Sequence, residues 1–363
     1  MERHSVRQNR PVDFSSETLT PFARGVLVGL GLGAPEAELV ATSLVESDLR
    51  GHSSHGVRRL VPYSAQVKEG TLVPSARPAL RDGTPAAVAI VDGNDGFGQL
   101  TARAGVDALV ERLPRTAVGV AVLRRCQHVG RLGEYVEALA ARGLVGIAFA
   151  NADPCVAPWG GRERMLGTNP TAWAVPTADG QAPLVVDFAT SATAEGKLSV
   201  SRDRGEQVPE GLLVDRTGRD STDPEDFYAG GALLPFGGHK GYGLSVAFDL
   251  VAGLLSGVGS ASDPAYAGGF GTVFMALDVS AFVDPETFVA DVEAFRTRIR
   301  GAARRDPDAP VLVPGEPEWE ARSVALRAGV SLAADTVAEL DRLAASLDVP
   351  PLERQTVQPQ EDT

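Results

Sequence analysis

The sequence predicts an α/β protein of two domains. Three observations carry that expectation: the length, a change of hydrophobic period near residue 85, and a series of short β-like runs separated by helical ones. At 363 residues the chain exceeds one small core and suits two domains, by a rule of roughly 100–200 residues each. Hydrophobic residues make up 44% and charged residues 22%, enough apolar material for a sizeable interior.

Before residue 85 the period is helical. TLTPFARGVLVGLG (18–31) and PEAELVATSLVESDLR (35–50) repeat every three to four residues, with Leu39, Val40, Leu44, Val45 and Leu49 on one face and acids in the first turn. Between them, GLGLGA (29–34) has the glycine density of a nucleotide loop. A dinucleotide fingerprint follows a strand, however, and here a helix precedes it, so the stretch reads as a helix C-terminus and turn. From about residue 85, AAVAIVDG, AVGVAVLR, LVGIAFAN, TAWAVP, APLVVDFAT and TVFMALDV read as strands, with LTARAGVDALVERL and EYVEALAARG as helices between some of them. Residues 201–235, rich in Gly, Asp and Pro, read as a long loop. GLSVAFDLVAGLLSGV (243–258) is apolar nearly all round and reads as a buried helix. SLAADTVAELDRLAASL gives a last helix before a tail, PPLERQTVQPQEDT, expected to be disordered.

Charge narrows the function classes. The 34 Lys and Arg against 47 Asp and Glu leave a net −13, a field that repels nucleic-acid backbones and anionic membrane surfaces. The opening residues contain no signal-like apolar stretch, and no segment reaches about 18 uninterrupted apolar residues, so neither secretion nor membrane insertion is expected. Two cysteines, Cys126 and Cys155, suit a reduced compartment better than a disulfide framework. The expectation is a cytoplasmic protein.

Four of the five histidines, His52, His55, His128 and His239, lie beside glycine-rich or turn-like sequence. In RGHSSHGVRRLVPY (50–63), His55 is a candidate general acid or base because imidazole titrates near neutrality, though a solvated turn would also use it. Arg59 falls one turn later if a helix begins at VRRLVPY, and its planar fork suits a carboxylate. His128, in RRCQHVGRLGEY, follows a strand, where α/β proteins often place ligands. In MLGTNPTAWAVP, Asn169 is expected to be extended because Pro170 follows it; its amide could meet a cofactor or close a turn. Asp187, Thr190 and Ser191, at the end of LVVDFATS, could hold the polar groups of a nucleotide or form a plain turn. FGGHKGYGL (236–244) sets Lys240 among four glycines ahead of the expected buried helix, which suits a phosphate, although the spacing is not that of a P-loop. Two other chemistries fit parts of this set. His52 and His55 could bind zinc for a hydrolase, without a carboxylate or thiolate pattern to complete the site. Lys240 could form a Schiff base with pyridoxal phosphate.

Taken in order, D-x-x-G-x-x-S-H-G-V-x-R (Asp48 to Arg59), QHVG, LGTNP, VVDFATS, GGHKGYGL with LLSG, and VPGE (313–316) resemble the malate/L-lactate dehydrogenase family over roughly residues 15–350. The resemblance implies an α/β domain of non-Rossmann topology that binds NAD(H) or NADP(H), a helical domain built from both chain ends, and a homodimer. It places the helical domain at 13–85 with 305–350 and the cofactor domain at 86–304, leaving 1–12 and 351–363 as disordered tails. It implies hydride transfer between the nicotinamide and the carbon next to the carboxylate of a small 2-oxo or 2-hydroxy acid, or alternatively reduction of a cyclic imino acid. By the same resemblance His55 is the proton donor with Ser54 beside it, Arg59 holds the substrate carboxylate, and His128 is a second active-site histidine. Asp187, Phe188, Ala189, Thr190, Ser191, Lys240, Gly241, Pro314, Gly315 and Glu316 match cofactor contacts, with Asn151, Gly167, Thr168 and Asn169 nearby. No metal is implied. The chain departs from the family pattern at Ser53, where an aspartate is usual, and at Arg125 and Cys126, where Asn-Ser is usual.

Overall fold

The computed structural model describes residues 11–203 and 205–353. The chain begins with β1 (Val12–Phe14), α1 (Ser16–Gly29), α2 (Ala34–Leu49) and α3 (Leu60–Glu69). The Ser15 side chain caps α1 by accepting from the Thr18 amide. The helix ends where Gly31 turns left-handed (φ 99°) and Leu32 N–H reaches back to the Leu27 carbonyl, so GLGLGA is a helix end and turn. On α2, Val40, Leu44, Val45 and Leu49 are buried, while Leu39 stays exposed.

The following segment comprises β2 (Ala79–Leu80), β3 (Val88–Gly96), α4 (Gly98–Thr116), β4 (Val118–Cys126), α5 (Gly133–Ala140), β5 (Leu144–Ala150), β6 (Thr171–Val175) and β7 (Leu184–Phe188). It continues through α6 (Glu195–Asp203), β8 (Leu213–Val214), β9 (Asp220–Ser221), α7 (Pro224–Tyr228), β10 (Ala232–Leu233), α8 (His239–Ser256), β11 (Thr272–Asp278) and α9 (Pro285–Arg300). Seven strands form one mixed sheet in the order β2-β3-β4-β11-β5-β6-β7, with β3 and β4 its parallel neighbours and every other pair antiparallel. Strand alternation sends Ala121 and Leu123 to one face, in a core with Leu109, Val136 and Phe274, and Val122 to the other, beside Ala252 of α8 and Val273. Helices α4 and α5 therefore cover one face of the sheet and α8 the other.

Two expectations fail in this part of the chain. The interval 201–235 is no long loop: β10, β8 and β9 form a small antiparallel sheet, and Leu198, Val208, Leu213, Phe227 and Leu233 enclose a core of their own. Its turn-forming residues connect strands only two residues long, too short to register as a hydrophobic period. Nor is α8 buried on all sides. The face toward the sheet carries Gly241, Ser245, Asp249, Ala252, Gly253 and Ser256, whereas Leu244, Leu250, Val251, Leu254 and Leu255 are exposed, Leu254 at 60%. Small residues face inward because the backbone runs close to its neighbours: a Cβ on Gly253 would lie 2.3 Å from the Gly259 carbonyl oxygen.

The chain ends with α10 (Glu316–Ala328), β12 (Val330–Leu332) and α11 (Ala334–Ser346), and β12 pairs antiparallel with β1. Two compact units result, one running to Ser75 and resuming at Pro317, the other spanning Ala76–Glu316. The limits fall at these points rather than at 85 and 304 because β2 pairs with β3 and because the Val185 amide bonds the Pro314 carbonyl. Part of the expected tails is ordered: Val12 pairs with Leu332, and Leu352 is buried with its amide on the Asp341 carboxylate. The remaining tail residues, 1–10 and 354–363, lie outside the described residues.

Candidate active site

In the first unit, α2 delivers its last residues to two consecutive 3-10 turns, Ser53–His55 and Val57–Arg59, separated by Gly56. The continuous α-helix expected to bring Arg59 one turn below His55 is absent, because Gly56 is extended and α3 starts only at Leu60. Ser54 Oγ lies 2.9 Å from His55 Nδ1, a contact that fixes the rotation of the imidazole. Arg59 is half-buried, its guanidinium lies 5.6 Å from the Tyr63 ring centre, and its Nε has no hydrogen-bond partner. That donor is available to an anionic oxygen. Near the end of α2, buried Asp48, the first residue of the D-x-x-G-x-x-S-H-G-V-x-R motif, accepts the Val57 amide of the second turn through Oδ2 at 2.7 Å.

In the second unit, His128 follows β4, and its ring meets the edge of Phe270 at 5.5 Å between centres and 76° between planes. The loop beneath it is tight. A Cβ on Gly98 would lie 2.1 Å from the Gln127 carbonyl oxygen, so only glycine fits there. Of the two departures that fall in this loop, Arg125 adopts a left-handed φ of 42° and grips Asp92 through both Nε and Nη2, with Asn94 on the same Nη2. Cys126 is fully enclosed, and burial pushes its thiol up to about 12, leaving no thiolate for chemistry at neutral pH.

Asp187, at the end of β7, accepts the Gly133 amide at the start of α5 at 2.7 Å and lies 4.0 Å from buried Arg131, which also pairs with Glu137 at 2.9 Å. Arg131 stands within the quoted histidine stretch, and a charge at a strand-to-helix turn was the available signal for it. The next residues lead toward α8: Phe188 is exposed and meets Phe236 edge-on, Ala189 is half-buried, Thr190 bonds the Thr168 carbonyl through both N–H and Oγ, and Ser191 Oγ donates to Thr193.

The two candidate asparagines are committed to the protein. Asn151 Oδ1 accepts the Gly271 amide at 2.8 Å, and its Nδ2 donates to Gly259 at 3.0 Å and toward Asp249 at 3.4 Å. Asn169 Oδ1 accepts the Ala152 amide, and its Nδ2 donates to the carbonyl and hydroxyl of Ser245. Asn169 is not extended, as its position before proline implied; it takes a φ of 35°, a conformation asparagine tolerates better than most residues. Gly167 lies under this turn, where a Cβ would fall 2.3 Å from the Ala152 carbonyl oxygen.

Lys240 is the second residue of α8, not a residue ahead of it. The amides of Lys240, Gly241 and Tyr242 already meet the carbonyls of Gly237, Phe236 and Gly238, so these N–H groups are taken up within the chain. What remains is a cradle with a cation. Gly237 and Gly238 are both left-handed, a Cβ at Gly237 would meet open space, and Lys240 is exposed beside them. At the far strand edge Gly315 (φ 94°) packs against β7, where a Cβ would lie 2.4 Å from the Pro183 carbonyl oxygen. Glu316 takes the Val313 amide and the Arg300 guanidinium; burial alone would raise its carboxyl, but these partners and Arg296 hold it below the usual range. Pro314 therefore offers an exposed ring, and Gly315 and Glu316 fix the loop. The glycine cradle, the cation and the exposed ring of Phe188 fit a phosphate-bearing nucleotide. Among the described residues no three His, Cys, Asp or Glu side chains gather as a metal site, and no helix is long and apolar enough to cross a membrane.

The sequence profile of the malate/L-lactate dehydrogenase family matches residues 14–341. The chain belongs to that family. It is an oxidoreductase of the dehydrogenase type with a nicotinamide cofactor. An L-lactate dehydrogenase of Cupriavidus necator is 38% identical over 342 residues, covering 90% of this chain and 96% of the relative. A Δ1-pyrroline-2-carboxylate reductase of Ancylobacter novellus is 35% identical, covering 92% and 98%. Among solved structures, malate dehydrogenase from Pyrococcus horikoshii superposes with a TM-score of 0.84 at 30% identity, covering 97% of this chain and 99% of that one.

Proposed function

We propose that this family member transfers hydride between NAD(H) or NADP(H) and the carbon next to the carboxylate of a small 2-oxo or 2-hydroxy acid. The observation that carries the reading is the turn pair of the first unit: an imidazole whose rotation is set by Ser54, followed by a half-buried guanidinium with an unanswered donor. His55 gives a proton to the substrate oxygen in reduction and takes it back in oxidation, and Arg59 holds the carboxylate in its planar fork. Ser54 keeps the ring aimed. His128, braced against Phe270, is the second histidine available for substrate polar groups.

The nicotinamide supplies or accepts the hydride. Lys240, with the Gly237–Gly238 cradle and Gly241, holds phosphate. Phe188, Ala189, Thr190, Ser191 and Pro314 line the nucleotide through backbone and ring surfaces. Asp187, Asn151, Gly167, Thr168, Asn169, Gly315 and Glu316 fix the loops that do so. We read the second unit as the family's own nucleotide-binding fold, outside the doubly wound class, which its single described parallel strand pair supports. The exposed apolar stripe of α8 supports a homodimer, and the low cysteine content supports a cytoplasmic enzyme. A second reading, reduction of a cyclic imino acid, is favoured by the pyrroline carboxylate reductase at 35% identity.

Assaying a panel of 2-oxo acids and cyclic imines with NADH and with NADPH, by loss of the reduced-cofactor absorbance, tests both readings. Turnover of neither substrate class would falsify them together. For the site itself, His55→Ala should lower kcat about 10²–10⁴-fold while cofactor affinity is unchanged.

A further inference from the structure

We propose that Asp48 is a positioning residue for the His55–Arg59 turns: its buried carboxylate clamps the backbone at Gly56–Val57 and so sets where imidazole and guanidinium stand. The inference rests on the reading of His55 and Arg59 as substrate-handling groups. Three observations support it. The carboxylate accepts the Val57 amide at 2.7 Å, at the junction between the turn ending in His55 and the turn ending in Arg59. It lies against Gly56 so closely that a Cβ there would fall 1.8 Å from Asp48 Oδ1, which leaves no room for movement on either side. Asp48 is 6% exposed, and its Oδ1 has no hydrogen-bond donor, a costly arrangement for a carboxylate that does no more than fill space.

An apolar side chain or an asparagine would fill the same volume without a buried charge. A carboxylate adds a stronger, charge-assisted bond to the one amide that links the two turns. Burial raises its pKa to about 7, and the Val57 bond and the Arg58 charge offset only part of that rise. The titratable groups of the surrounding elements are Glu46 and Arg50 on α2, His52 and His55 in the first turn, Arg58 and Arg59 in the second, and Glu318 and Arg322 on α10; of these, Arg58 is the charge that acts on Asp48 directly. As pH falls through about 7 the carboxyl gains a proton, its hold on the Val57 amide weakens, and the turns loosen. This limb runs opposite to that of His55, which must be protonated to donate and so loses reductive activity as pH rises.

The test compares Asp48→Asn, Asp48→Glu and His55→Ala in the reductive direction, with melting temperature and NAD(P)H binding recorded for each. Asp48→Asn should lower kcat/KM about 10–100-fold, the range of one charge-assisted hydrogen bond, at unchanged cofactor affinity. It should also abolish the acid limb near pH 7 that the parent enzyme shows. Asp48→Glu keeps the charge and should restore that limb at reduced kcat/KM. Gly56→Ala, which pushes on the same carboxylate from the other side, should reproduce the Asn variant's loss. The inference is overturned if Asp48→Asn and Gly56→Ala bind cofactor and turn over as the parent does, or if the acid limb persists in the Asn variant. Should His55→Ala itself retain parental kcat, the reading of the histidine fails instead, and the two failures are separable.

Discussion

Replacing Asn151 by alanine separates a structural amide from a ligand-binding one. The side chain is fully buried and answers the Gly271 amide at 2.8 Å and the Gly259 carbonyl at 3.0 Å, tying the end of β5 to the segments on either side of the 260–270 loop. Truncation leaves the buried Gly271 amide and the part-buried Gly259 carbonyl unanswered. Each orphaned group costs about 1–3 kcal/mol, so a loss of roughly 2–6 kcal/mol is expected, reduced if water enters the space. In a domain of this size 1 kcal/mol moves Tm by roughly 2–4 °C, so melting should fall by about 5 °C or more. Urea unfolding at constant m-value gives the free energy directly, and nicotinamide fluorescence gives cofactor affinity on the same samples. If the variant melts with the parent but binds NAD(P)H much more weakly, the amide is a cofactor contact and its assignment as a brace is wrong.

Three further outcomes follow from the geometry. Arg59→Lys should raise KM for carboxylate substrates sharply because an ammonium cannot reproduce the fork, and steady-state kinetics that leave KM and kcat untouched would put the arginine outside the pocket. Lys240→Ala should weaken NAD(P)H binding at least tenfold with little change in Tm, as its side chain is exposed on the first turn of α8; equal affinity with lowered stability would make it a structural residue. Asp48, whose folded pKa of about 7 lies above its ordinary 3.8, opposes folding once ionised, so the stability of Asp48→Asn relative to the parent should rise between pH 4 and pH 8 by up to about 4 kcal/mol. A pH-independent difference in urea unfolding contradicts that burial.

Most strands and helices were legible because their apolar residues repeat at a period the eye can follow, as in LVGIAFA, where β5 alternates buried and half-buried along its length. The 201–235 segment was not legible, since pairs of two-residue strands leave no period to read. On α8 the apolar count was right and the conclusion wrong: hydrophobicity registers how many leucines a helix has, not that glycine, serine and aspartate face the sheet. At the site, residue type pointed to His55, Arg59 and Lys240 because their chemistry is rare in turns. It could not show what holds Asn151 and Asn169, whose partners Gly271 and Ser245 are far away in sequence and reach them only once the sheet has formed. Asp48 stood in the quoted motif, but nothing in a linear string distinguishes a buried carboxylate from a solvated one.

The place of β11 in the sheet has a consequence for how the chain is made. It lies between β4 and β5, pairing with β4 from Val118 to Leu123 and with all of β5, yet it begins at Thr272, after both have been complete since Ala150. A ribosome adding roughly 5–20 residues per second leaves those two strands without their shared neighbour for on the order of ten seconds. Throughout that interval the nascent chain carries two apolar strand edges that a neighbouring chain could pair with, and the central pairing, of high sequence separation, closes last. Soluble yield should therefore respond to synthesis rate, temperature and chaperone supply more than the stability of the finished enzyme would suggest.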